Sequence, residues 1–257
     1  MSDDRYSKQV LYDRIGPEGQ THIGKTHAVV IGCGALGSTI ANCLARAGVG
    51  RLTLIDPDRV ELSNLQRQTL YDEAHAAAAA LKVHAAAERL AQINSQVTIQ
   101  AIEARVDAQT VAALVGRPDL IVDGTDNFPA RYLVNDYCVR EGLAWIYGGV
   151  AAAYGVAMPI LPGVTPCLRC VFPEPPPPEY APTADTVGII APIAHLIASI
   201  QSAEALKVLS GHREAIRPLL YTVDLWEGTF GAVRLPGPEK ACPCCGQRRF
   251  AFLEGAA

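Results

Sequence analysis

AVVIGCGALGSTIANCLARAGVGRLTLID occupies residues 28–56, and its pattern changes twice along the way. The apolar run 28–31 reads as a buried strand. It leads straight into GCGALG, which sets Gly32, Gly34 and Gly37 in G-x-G-x-x-G spacing. Glycine there permits the tight turn and lets a phosphate approach the backbone. The N-terminus of the following helix, about 36–47, favours negative charge. A second strand, 52–55, runs into Asp56, a carboxylate placed to accept hydrogen bonds from a ribose. Taken alone, the unit reads as the start of an NAD-dependent oxidoreductase.

The next residues do not suit that reading. DPDRVELSNLQRQ (56–68) crowds Asp58, Glu61, Ser63, Asn64, Gln66, Arg67 and Gln68 into one loop, where hydride transfer would need only adenosine contacts. Amide, hydroxyl and guanidinium groups beside a phosphate loop suit chemistry at phosphorus, because arginine offers a planar fork to phosphate oxygens. Lys82 is the next lysine or arginine after Arg67. Asp126 sits in DGTDNFPAR (123–131), just past a strand at 120–122. That is the edge where open α/β sheets bind ligands, and a carboxylate there is a natural Mg²⁺ ligand. The structural alternatives are a helix N-cap for Asp126 and a solvated helix face for Lys82.

Outward from this unit, helical stretches at 74–93, 108–114 and 131–139 alternate with strands at 97–102, 120–122 and 144–147. This alternation predicts an α/β fold with a Rossmann-like, doubly wound, mainly parallel sheet. Residues 143–164 lack any charge, but Gly148, Gly149, Gly155, Pro159 and Pro162 break them into two strands rather than a membrane span. Beyond lie the proline-rich loop FPEPPPPEYAP (172–182), an apolar helix at 188–209, and strands at 219–223 and 228–235 that predict an antiparallel extension. The whole, 1–257, reads as one unit, about 1–150 for nucleotide and about 151–257 for a further function.

The chain has 257 residues, enough to bury about 70–75% of its unfolded surface without disulfides. Its 22 Lys+Arg against 26 Asp+Glu give a net charge of −4, which argues against general nucleic-acid binding through phosphate neutralisation. With 49% hydrophobic and 19% charged residues it is not a disordered chain. MSDDRYSKQV has no apolar signal region, so the expected compartment is the cytoplasm.

In that compartment, cysteines in pairs read as metal ligands or redox groups. Cys167 and Cys170 form one C-x-x-C, and Cys242 and Cys245 form another, the ligand set of a closed, structural zinc site. Spacing alone does not separate Cys244 from Cys245. Cys33, Cys43 and Cys138 read as small buried hydrophobes, and His195 as a satisfied core histidine.

RYSKQVLYDRIG (5–16), GCGALG, AGVGRLTLIDPDRVELSNLQRQ (47–68), DGTDNFPAR, PCLRCVFPEPPP (166–177) and QSAEALKVLSG (201–211) together resemble the ThiF/MoeB/HesA family, bacterial relatives of the adenylation domain of ubiquitin-activating enzymes. The resemblance implies ATP-dependent adenylation of the C-terminal glycine of a ubiquitin-like sulfur carrier ending in Gly-Gly, for thiamine, molybdopterin or a related pathway. It implies nucleotide binding by Gly32, Gly34, Ala35, Gly37, Asp56, Asp58, Ser63, Asn64, Leu65, Gln66, Arg67, Lys82, Asp126 and Asn127. Within that set Asp56 would hold the ribose, Asn64 and Arg67 the phosphates, and Lys82 the α-phosphate charge, while Asp126 binds Mg²⁺. Arg67, Lys82 and Asp126 would be catalytic. The resemblance also points to zinc on the four cysteines, a homodimer, and a carrier groove around 147–158 and 173–186.

Three departures stand out. The family's N-terminal arginine, which reaches the partner subunit's ATP, is Lys8 here. The turn before the family lysine is replaced by Ala79, Ala80 and Leu81, which predicts that Lys82 lies inside a longer helix. In YAPTADTVGIIAP (180–192), Ala184 stands where some relatives carry a reactive cysteine. The implied enzyme stops at the acyl-adenylate and leaves sulfur delivery to a separate sulfurtransferase.

Overall fold

The computed structural model describes residues 4–177 and 183–254. In chain order the elements are α1 (Ser7–Val10), α2 (Gly16–Ile23), β1 (His27–Ile31), α3 (Ala35–Ala47), β2 (Arg51–Ile55), α4 (Glu73–Ala77), α5 (Lys82–Ile93), β3 (Thr98–Ile102), α6 (Val111–Val115), β4 (Leu120–Asp123), α7 (Phe128–Glu141), β5 (Trp145–Ala151), β6 (Tyr154–Ile160), α8 (Leu168–Val171), α9 (Ala184–Val187), α10 (Ala191–Leu209), β7 (Leu219–Asp224) and β8 (Thr229–Arg234). The strands form one mixed sheet ordered β3-β2-β1-β4-β5-β6-β7-β8. Pairings from β3 to β5 are parallel, and those from β5 to β8 antiparallel.

Side-chain alternation along the central strands separates two cores. Ala28 and Val30 of β1 join the layer that includes Ile40 and Leu44 of α3, Leu90 of α5 and Ile197 of α10. Val29 and Ile31 face the opposite layer, with Tyr132 of α7 and Trp145. Residues 143–164 form β5, β6 and the turn after them. Among the described residues no helix is long and apolar enough to cross a membrane. The glycines of this hairpin make room for α10, since a Cβ on Gly148 would overlap the Gln201 side chain and one on Gly155 the Ile197 side chain.

The expected helix over 74–93 is two helices. Asp72 caps α4 by accepting the His75 N–H at 3.0 Å, and the chain then turns through Ala79 at φ +44°. Ala80 and Lys82 pair with the segment after β2, through Val60 N–H to Ala80 carbonyl at 2.8 Å and Lys82 N–H to Asp58 carbonyl at 2.9 Å. Alanine propensity favours one helix, but these contacts distant in sequence win. Lys82 therefore opens α5 rather than lying within a longer helix. Glycine at position 79 removes the left-handed strain, so Ala79→Gly is expected to raise stability by about 0.5–1 kcal/mol in urea unfolding. The late apolar helix begins at Ala191, with Pro192 in its first turn, because Gly188 at φ +75° ends α9 instead.

Candidate functional site

Strands β1, β2 and β4 end side by side, and the loops that follow them enclose a cleft of about 790 Å³. The glycine loop forms its floor. Gly32 sits at φ +88°, and a Cβ on Gly37 would overlap the Gly32 carbonyl oxygen, so the turn into α3 closes only without side chains there. Asp56 at the end of β2 is buried and accepts two backbone hydrogen bonds, from the Cys33 N–H at 2.6 Å and the Asp58 N–H at 2.7 Å. Burial pushes its carboxyl above the usual range, opposed by the Cys33 N–H and the Lys82 cation.

The polar loop folds over this floor. Asn64 is buried and accepts the Glu61 N–H at 3.2 Å, which closes a turn at Leu62–Asn64. Arg67 donates from Nη1 to the Ser63 carbonyl at 2.9 Å. Lys82 is buried, and its Nζ lies 3.2 Å from the Asp58 carboxylate. Across the cleft, Asn127 caps α7 by accepting the Ala130 N–H at 3.0 Å and donates to Asp126 at 3.3 Å. The N-cap role thus falls to Asn127, and Asp126 is left exposed on the cleft wall.

Gly32, Gly34, Ala35, Asp56, Asp58, Ser63, Asn64, Arg67, Lys82, Asp126 and Asn127 all line this cleft. Gly37 lies under it. Leu65 packs against the core, and Gln66 is exposed, with Nε2 3.5 Å from the Ile189 carbonyl. Lys8 is exposed on α1, whose Gln9 contacts the Ala47 carbonyl at 3.1 Å. Ala47 ends the 13-residue helix α3, so that contact is roughly 20 Å from the helix start in the cleft. Ala184, the first residue of α9, lines the cleft with a methyl group; positions 178–182 of the preceding loop lie outside the described residues.

Several cleft residues carried no role in the sequence reading. Gln68 is 4% exposed, and its Oε1 has no hydrogen-bond partner among the described residues. Thr125 and Arg131 also line the cleft, and both engage buried Asp123, which accepts from Thr125 N–H at 2.9 Å and Oγ1 at 2.7 Å and lies 3.5 Å from Arg131 Nε. Burial raises the Asp123 carboxyl, and Arg131 opposes the rise. The Arg131 guanidinium also stacks over the rings of Phe128 and Tyr147. Asp123 and Arg131 are the two ends of DGTDNFPAR, so the motif signalled them. Residues 104–108 and Phe252, which complete the wall, gave no signal.

A second cluster lies where the chain's tail meets α8. The sulfurs of Cys167, Cys170, Cys242 and Cys245 all lie within 4.8 Å of one another, with 3.6 Å between Cys167 and Cys242 and 3.3 Å between Cys170 and Cys245. Tetrahedral zinc with Zn–S near 2.3 Å sets its sulfurs about 3.8 Å apart, so the four fit that ion. Burial and the neighbouring Cys170 push the Cys245 thiol up to about 12, so only a cation displacing protons turns such a cluster into thiolates. Cys244 lies outside the quartet. Its sulfur accepts from Asn135 Nδ2 at 3.3 Å, while Asn135 Oδ1 accepts the Leu168 N–H at 2.8 Å, so α7 holds both cysteine turns. Cys33 and Cys138 are fully buried and Cys43 partly so.

The ThiF family profile matches residues 6–244. The chain is 42% identical over 250 residues to the sulfur carrier protein ThiS adenylyltransferase of Bacillus subtilis, covering 97% of this chain and 73% of that protein. It is 37% identical over 244 residues to the adenylyltransferase and sulfurtransferase MOCS3 of Sus scrofa, covering 95% of this chain and 53% of that protein. Among solved structures, Escherichia coli MccB with ATP superimposes with a TM-score of 0.82 at 23% identity, over 95% of this chain and 75% of the other, a likeness of fold.

Proposed function

The chain belongs to the ThiF family, and from that premise we propose that it is an adenylyltransferase acting on a ubiquitin-like sulfur carrier of the ThiS or MoaD type. The carrier's terminal glycine carboxylate attacks the α-phosphorus of ATP, a carboxylate–phosphorus link forms, and pyrophosphate leaves. Both reactants are anions, so the protein's part is to align them and to supply fixed positive charge where negative charge grows. Asp56 holds the ribose. Asn64 and Arg67 take the phosphates, Lys82 faces the α-phosphate, and Asp126 would hold Mg²⁺, whose charge would offset that of the phosphates. Asp126 suits that ion because it is an exposed cleft carboxylate engaged, among the described residues, by one neighbour, Asn127.

The observation that carries this reading is the meeting of Arg67, Lys82 and Asp126 on one cleft floored by the glycine loop. They stand 59 positions apart in sequence from first to last (126 − 67), and a dehydrogenase has no use for the set. The NAD-dependent alternative also lacks support from the relatives, which are adenylyltransferases. The Rossmann-like half, about 1–150, would bind nucleotide, and about 151–257 the carrier, whose extended tail would run beside 147–158 and 173–186. Zinc would fasten the tail of the chain. A homodimer would bring Lys8 to the partner's nucleotide, a placement supported by its position on α1, away from its own cleft. Ala184 supports sulfur delivery by a separate sulfurtransferase. Incubation of the protein and a Gly-Gly carrier with ATP labelled at the α-phosphate tests the reaction. Label is expected on the carrier, and ATP labelled at the γ-phosphate is expected to leave none; γ-label on the carrier would overturn the proposal.

A further inference from the structure

Arg67 leaves its loop with an orphaned carbonyl. The turn at Leu62–Asn64 has closed, the N–H groups of Arg67 and Gln68 both turn back to the Asn64 carbonyl, and no described backbone N–H donates to the Arg67 oxygen. Its partner is instead His195, one turn into α10, whose Nε2 lies 3.3 Å away. A carbonyl only accepts, so Nε2 carries the proton and donates. The same stretch of chain receives the loop once more, one residue earlier, where Gln66 Nε2 reaches the Ile189 carbonyl. Among the described residues the guanidinium of Arg67 has a single hydrogen-bonded anchor, the Ser63 carbonyl.

We propose that His195 is a positioning residue for adenylation: its Nε2–H holds the Arg67 backbone so that the guanidinium faces the nucleotide phosphates. This inference rests on the adenylyltransferase reading. It departs from the expectation of a satisfied core histidine, since the ring is only partly buried and its partner belongs to the nucleotide loop. Placement of α10 does not depend on the contact. Gln201 ties the helix to the Asp123 carbonyl at 2.8 Å and to the Ile146 carbonyl at 3.2 Å, and Glu204 accepts the Tyr221 hydroxyl at 2.8 Å. Loss of the imidazole therefore frees the loop while the helix stays in place.

The test compares wild type, His195→Leu and His195→Gln. Glutamine can present a donor at nearly the place of Nε2, and leucine none. In carrier-dependent ATP–pyrophosphate exchange, His195→Leu is expected to raise KM for ATP about three- to tenfold, the value of one lost hydrogen bond. KM for the carrier and the thermal midpoint stay unchanged, and His195→Gln restores KM for ATP to within about twofold. Wild-type KM for ATP in His195→Leu, or no rescue by glutamine, would overturn the role. Calorimetric titration of the same proteins with MgATP, without carrier, separates the two claims. Weaker binding in His195→Leu recovered in His195→Gln supports the positioning role even if wild type shows no exchange, an outcome that would instead count against the adenylation reading. Equal affinities in all three overturn it.

Discussion

Arg67→Ala or Lys82→Ala lowers carrier-dependent ATP–pyrophosphate exchange by about 10²–10³-fold, the usual cost of removing one preorganised donor from a site of developing charge. The fold survives both changes. Arg67 spends one hydrogen bond on a neighbouring carbonyl within its own loop, so its loss strips little from the core. Lys82 is buried, but its partner Asp58 is half-exposed and regains water when the ammonium is gone. The expected signature is thus a collapse of exchange with a thermal midpoint within a few degrees of wild type. Lys82→Arg keeps the charge but changes a compact ammonium for a fork in a buried position, and is expected to recover only part of the rate.

Removing the zinc proposed for the four cysteines, or replacing Cys245 by serine, is expected to cost more stability than either cleft substitution. A metal bridging Cys170 and Cys245 would close a loop between residues 75 apart, worth about 4–5 kcal/mol in restricted unfolded-state entropy. For a chain of this size that lowers the unfolding midpoint by about 10–20 °C. The effect reaches the cleft. The segment after Cys245 donates the Phe252 N–H to Asp136 at 3.1 Å and packs the Phe252 ring at a tilt against Tyr132 with centroids 4.9 Å apart, and Phe252 lines the cleft. MgATP binding is therefore expected to weaken along with stability. Calorimetric unfolding with and without a chelator, with metal content measured in parallel, checks this. An unchanged midpoint after complete metal removal would show that the quartet does not fasten the tail.

That these residues come together in two places was legible in the sequence where short motifs carry their own geometry. GCGALG implies its turn because Gly37 must lie against the Gly32 carbonyl, and the two C-x-x-C pairs imply a four-sulfur cluster because each pair can span two sites on one ion. The reading failed where contacts distant in sequence outweighed local preference. The alanine run 76–80 favours helix, but pairing with residues 58–60 breaks it and sets Lys82 at a helix start facing Asp58. Gln68 stood in the polar loop with nothing to mark its oxygen as buried and, among the described residues, unpartnered. Phe252 and residues 104–108 reach the cleft only through the sheet order and the cysteine cluster, neither of which leaves a local pattern. His195 is an ordinary histidine on an apolar helix until the loop carrying Arg67 is folded onto it.

ATP–pyrophosphate exchange reads out whether the protein adenylates a carrier. The purified protein is assayed with a ubiquitin-like carrier ending in Gly-Gly, with the same carrier lacking its terminal glycine, and with no carrier. Exchange is predicted with the intact carrier alone, because reversal of adenylation needs the terminal carboxylate in the cleft beside Arg67 and Lys82. Exchange of equal rate in all three reactions would contradict the account.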